Sequence, residues 1–216
     1  MNAISMTPTP PKVVYPDSDG QPLAENTLQF RWIVTIQGGL DAQYAADPNV
    51  FVAGDLLWYP VEGEPTIRQA PDTLVVFGRP KGYRGSYKQW EEDNIPPQVV
   101  WEVLSPGNRP MPMLKKFEFY QKHGVEEYYV YDPDNAELFG WLRKGDKLLE
   151  IPQIQGWVSP LLKVKLELVE GELVITGPDG KKFLTYVELA QERQKALNAV
   201  DNLRAQLRAA GIEPKE

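Results

Sequence analysis

The residues of this chain with the means to do chemistry lie between Pro71 and Pro133. Asp72 stands at the head of the apolar run 73–77, and Glu102 sits inside the run 99–105, Val-Val-Trp-Glu-Val-Leu-Ser. A helix-like segment carrying Lys115-Lys116 follows, and then the strand-like 127–132, Glu-Tyr-Tyr-Val-Tyr-Asp. A carboxylate among β-branched and aromatic residues is costly to bury unless it is paired or holds a cation. Two carboxylates and a lysine on adjacent elements are the minimum set for metal-dependent hydrolysis. Each also has a structural reading. Asp72 could cap a strand end, and Glu102 could form a salt bridge to Lys116.

Composition narrows the chemistry. The chain has 216 residues, 42% of them apolar and 11% aromatic, enough for one domain with a substantial core and appendages. It has no cysteine and one histidine, which excludes disulfides, thiolate sites and a multi-histidine zinc centre within one chain. Any metal would take oxygen ligands, which favours magnesium, manganese or calcium. No apolar run approaches the roughly 20 residues of a membrane span and the first residues do not read as a signal peptide, so the expected location is the cytoplasm. The net charge of −7 opposes binding to a polyanion. One segment runs against it: Arg79 to Lys88 holds four basic residues and two tyrosines, either a phosphate-contacting loop beside Asp72 or a solvated surface loop.

The elements that must position these residues are legible in outline. Leu28, Trp32, Ile36, Leu40 and Tyr44 recur every four residues, which predicts a helix from Glu25 to about Ala46, weakened by Gly38-Gly39. Lys12 to Tyr15, Val50 to Tyr59 and Thr73 to Phe77 read as strands, and the Glu102 run as another. Met113 to His123 reads as a helix that Gly124 ends, with His123 a C-terminal residue of that helix and not a ligand. Hairpins are expected at 138–149 and 163–175, turning at Gly145 and Gly171. The tail from Phe183 to Ala210 is helical, with a heptad seam broken once, at Arg193. The strand–helix–strand unit from Val99 to Asp132 should be a right-handed parallel crossover. The expected class is α/β (α+β), with a domain over 12–180 and a helical tail over 181–216. A strand-rich core with a projecting helix suggests a homodimer.

Ala70-Pro71-Asp72, Glu102-Val103-Leu104-Ser105-Pro106, Lys116-x-x-x-Tyr120, residues 124–128 and Asp132-Pro133 together resemble a known family. It is the restriction-endonuclease-like family abundant in cyanobacteria, of unknown function and within the PD-(D/E)XK nuclease superfamily. The likeness extends upstream through residues 22–26 and 54–60. It implies a restriction-endonuclease-like mixed β-sheet core flanked by helices, to which this chain adds β-hairpins and a C-terminal helix. It also implies that Asp72, Glu102 and the backbone carbonyl of Val103 hold Mg2+ or Mn2+, and that DNA is the partner cleaved. A lysine two residues after the glutamate would fall at Leu104, which shares a strand face with Glu102 and carries no charge. The resemblance moves that lysine to the following helix, to Lys116, with Lys115 as competitor about 100° away around the helix. Glu25 could add a carboxylate from the other side, or serve as a helix-start acid. Asp55 could be a further ligand, but a turn residue is the preferred reading. The alternative function is a nuclease-fold protein that binds protein or nucleic acid without cleaving it.

Overall fold

In a computed structural model that describes residues 13–107 and 109–212, the chain forms three helices, eleven strands and one 3-10 turn. In chain order these are α1 (Thr27–Gln43), β1 (Val50–Ala53), β2 (Trp58–Tyr59), β3 (Thr73–Phe77), β4 (Tyr87–Lys88), the turn Gln89–Glu91 and β5 (Val99–Val103). Then come α2 (Pro110–Lys122), β6 (Glu127–Asp132), β7 (Glu137–Lys144), β8 (Lys147–Glu150), β9 (Trp157–Val158), β10 (Lys165–Val169), β11 (Glu172–Thr176) and α3 (Tyr186–Ala209). The main sheet has six strands in the order β1-β3-β5-β6-β7-β8. Its central pair β5 and β6 runs parallel, joined by α2, and the other neighbours are antiparallel. This is the mixed sheet that the strand–helix–strand unit predicts. Among the described residues, no helix is long and apolar enough to cross a membrane.

Side-chain alternation along each strand sorts the core into two layers. Val50, Val52, Val75, Val99, Trp101, Val103, Tyr129 and Tyr131 face α1 and the three-stranded sheet β11-β10-β9. Phe51, Leu74, Val76, Val100, Tyr128 and Val130 face the other way, toward Tyr120 of α2. The period of two therefore puts Glu102, flanked by Trp101 and Val103, on the α2 side. The β6 aromatics Tyr128, Tyr129 and Tyr131 are buried in these sheet faces, whereas Phe139 of β7 is exposed.

Local chemistry explains the element ends. Asn26 caps α1, its side chain accepting from the Gln29 N–H. Pro110 opens α2 earlier than the Met113 start expected, at the position where a missing N–H costs nothing. Gly124 ends α2 at φ +93°. The hairpin turns fall at Gly145 and Gly171, both at positive φ. Gly38-Gly39 does not interrupt α1, and at Gly39 the Phe183 ring occupies the space a Cβ would fill. Gly39→Ala is therefore expected to destabilise. Overpacking of about 1–3 kcal/mol outweighs the roughly 1 kcal/mol gained in helix propensity, and a urea midpoint at or above wild type would contradict this.

Two strand expectations need correction. The run from Val50 to Tyr59 is not one strand. It breaks after Ala53, where Asp55 takes a left-handed φ of 48° and its N–H turns to the Pro71 carbonyl. Val13 to Tyr15 form no strand, and the expected start of that element at Lys12 lies outside the described residues, as does Asn108.

Candidate active site

Glu102 is the centre of the constellation. It lies on the buried central strand β5, and both its oxygens are engaged by α2. Lys116 Nζ donates to Oε2 at 2.7 Å, and the Tyr120 hydroxyl donates to Oε1 at 2.5 Å. Lys116 and Tyr120 are one helical turn apart, so a single face of α2 brings both to the same carboxylate. Lys115 points to solvent, which settles which of the two lysines faces Glu102. Tyr120 is itself fully buried, its ring parallel to Trp58.

Asp72 arrives from the end of β3, beside β5. Its Oδ2 accepts the Val103 N–H at 2.6 Å, so it does tie off a strand edge, as a capping residue would. Burial, and then the charge of Glu102, push its carboxyl well above the usual carboxylate range, against the pull of Lys116 and the Val103 N–H. Burial also lowers the Lys116 ammonium, but the charges of Glu102 and Asp72 outweigh that and hold it above its ordinary value. Asp55 joins the same field from its turn, its carboxyl raised first by burial and then by Asp19. It is a turn residue, as preferred, yet close enough for Lys116 and Glu102 to act on it.

Glu25 sits in an adjoining network and is not hydrogen-bonded to Glu102 or Lys116. Its Oε2 accepts from the Ser105 hydroxyl, and its N–H donates to Gln29 Oε1 at 2.8 Å. Gln29 then donates through Nε2 to the Val103 carbonyl, also at 2.8 Å. Both backbone groups of Val103 are thus engaged by side chains, the N–H by Asp72 and the carbonyl by Gln29. Gln29 had no distinguishing mark in the sequence, since a glutamine in a helix's first turn is unremarkable. Tyr120 was marked only by its spacing from Lys116.

The cations of the basic segment are all paired with acids of this chain. Arg79 and Arg84 both pair with Glu92, Arg79 also with Asp93, Lys81 with Asp41, and Lys88 with Glu91. Its cations are consumed inside the molecule. His123 caps α2 against Phe119 and Trp58, its imidazole lowered by burial, and contributes nothing to the Glu102 site.

Lys116 feels Glu102, Asp72 and Asp55 together, so among the described residues three carboxyl groups gather around one ammonium in this pocket. All its donor atoms are oxygens, which fits a hard divalent cation. Among the described residues, no three acidic or imidazole side chains already converge as a cation cage. Because Asp72 binds its proton more tightly folded than unfolded, its stabilising contribution is present in acid and lost as pH rises through the elevated folded pKa. Asp72→Asn is therefore expected to raise the melting temperature of metal-free protein at pH 8 and to change it little near pH 4. Each kcal/mol recovered is worth about 2–4 °C at this chain length, and equal melting shifts at both pH values would overturn the assignment.

A profile of the family described as "Uma2: Putative restriction endonuclease" matches residues 9–163. The chain belongs to the Uma2 family. The match runs through β9 and takes in every residue of the Uma2 site described above, leaving β10, β11 and α3 beyond it. A solved structure from Anabaena variabilis ATCC 29413, titled a "putative nuclease belonging to DUF820", is similar to this Uma2 chain at a TM-score of 0.47 and 14% identity. That similarity covers 63% of this chain and 73% of the other. No curated protein matches.

Proposed function

We propose that this chain is a metal-dependent endonuclease that hydrolyses DNA phosphodiester bonds at the Asp72–Glu102–Lys116 pocket. One observation carries the reading: a carboxylate on a central strand is fixed by a lysine and a tyrosine from one helix face, next to a second carboxylate of raised pKa. Such a pair is rarely retained for stability alone, because desolvation offsets most of its attraction. Asp72, Glu102 and the Val103 carbonyl would hold Mg2+ or Mn2+, which when bound supplies Lewis-acid polarisation of the phosphate and a water of lowered pKa. Tyr120 holds Glu102 in one rotamer. Gln29 and Asp72 hold the backbone of Val103 in register. Lys116 orients the attacking water or stabilises charge that develops on the phosphate. Glu25, bonded to Ser105, supports this network through Gln29 and is a candidate further carboxylate for the substrate side.

A second reading, a nuclease-fold protein that binds without cleaving, draws on a different observation. Both Glu102 oxygens are satisfied within the protein, and the basic segment is neutralised by its own acids. Incubation with supercoiled plasmid and Mg2+ or Mn2+ separates the two. Nicking by the wild type that Asp72→Asn loses supports the nuclease. Intact plasmid with both metals, at protein in excess, supports the binding module.

A further inference from the structure

Every residue of α3, Tyr186–Ala209, is exposed. Helices in proteins draw most of their stability from burying an apolar face. The face is present. Tyr186, Leu189, Ala196, Val200, Leu203, Leu207 and Ala210 follow heptad spacing, with Arg193 the one charged member. At the root of α3 a groove of about 500 Å³ opens against the outer side of α1, lined among others by Val34, Gly38, Ala42, Phe183, Tyr186 and Leu189. The α1 wall is low there, with no atom within 4 Å of where a Gly38 Cβ would be.

We propose that a second copy of this chain covers both surfaces. The two α3 helices pair antiparallel, and residues 207–212 of the second copy lie at the mouth of the groove.

The sequence of α3 selects the occupant and the direction. Parallel pairing in register would set Arg193 against the partner's Arg193 inside the seam and each charge beside its own copy. Antiparallel pairing about the middle of the helix places Leu189 on the partner's Leu207, Ala196 on the partner's Val200, and Tyr186 on the partner's Ala210. Large residues then meet small ones at two of these layers. Arg193 faces the partner's Leu203, where its stem can lie along the leucine while its head reaches water. The same register brings the flanking Leu197, exposed in the single chain, beside the partner's Leu197 at the two-fold axis, which widens the apolar seam.

Area explains why the groove belongs to the same interface. The 24 residues of α3 make a helix about 36 Å long, whose apolar stripe offers roughly 400 Å². A specific interface uses about 800 Å² per partner. Leu189 belongs to both the stripe and the groove, so the partner's last turn extends the contact onto α1 without a break. The arrangement is two-fold symmetric and closes on itself, so each copy receives what it gives.

The chain has no cysteine, which makes the test direct. Full-length wild type should sediment as a dimer at about 50 µM. The double variant Leu189→Cys with Leu207→Cys should form a covalent dimer on mild oxidation, and Leu189→Cys alone should not. Leu207→Glu, at an exposed position that sets a carboxylate against the partner's Leu189 and leaves the body folded by circular dichroism, should weaken association at least about 100-fold. A wild-type monomer, self-cross-linking of Leu189→Cys as in a parallel pair, or a Leu207→Glu dimer of unchanged affinity would each overturn the proposal.

Discussion

Glu102→Gln is expected to remove divalent-cation binding and DNA cleavage together. The substitution keeps the side chain's size and one carbonyl acceptor but takes away the charge that Lys116 and Asp72 both feel. Lys116 Nζ then faces an amide where it had a carboxylate at 2.7 Å, and Tyr120 keeps only a neutral acceptor. Glu102 is 2% exposed, so water cannot replace what is lost. With one ligand charge gone, losing about 4 kcal/mol of transition-state stabilisation would slow cleavage roughly a thousandfold. Calorimetric titration of Mg2+ and Mn2+ into wild type and variant reads the binding half, and plasmid nicking reads the other. Equal heats in the two proteins would remove Glu102 from the cation site. Cleavage at the wild-type rate would remove it from the mechanism. The variant should still fold, because Asp72 remains near Lys116 and the apolar layers on both sides of β5 are untouched.

The parts of the site that were legible beforehand are those that follow from short-range geometry. Strand alternation put Glu102 and Leu104 on one face, and helix spacing put Lys116 and Tyr120 on one face; the structure turns those two faces toward each other. The parallel direction of β5 and β6 follows from their helical connection, and the observed register sets Glu102 opposite Val130. What could not be read depends on long-range partners. Gln29 reaches Val103 across 74 positions. The basic loop looked available because its neutralising acids, Glu92 and Asp93, belong to a connection with no pattern of its own. The break at Asp55 places a left-handed residue within an apolar run, a conformation Asp tolerates and its N–H bond to the distant Pro71 carbonyl reinforces.

Lys116→Met should move cation affinity and cleavage in opposite directions, which no purely structural role for the lysine predicts. Methionine keeps the length of the stem and its packing on α2 while removing the ammonium that competes for Glu102 Oε2. Asp55, Asp72 and Glu102 are then left without their shared cation, so the pocket should take Mg2+ or Mn2+ about tenfold more tightly. Cleavage should nevertheless fall by about 10²- to 10⁴-fold, the range for a positioned group that handles a proton or developing charge. Metal-free protein should lose roughly 3 kcal/mol, the cost of leaving a mostly buried carboxylate without its partner. That loss should shrink in acid: without Lys116 the Asp72 carboxyl rises further, and its protonation relieves the repulsion from Glu102. Added Mg2+ should restore the melting temperature without restoring activity. Lys115→Met, on the solvent side of the same turn, should leave affinity, rate and stability unchanged. If Lys116→Met cleaves at the wild-type rate, or if Lys115→Met is the damaging change, the lysine at Glu102 is a structural pair and the site is not a nuclease centre.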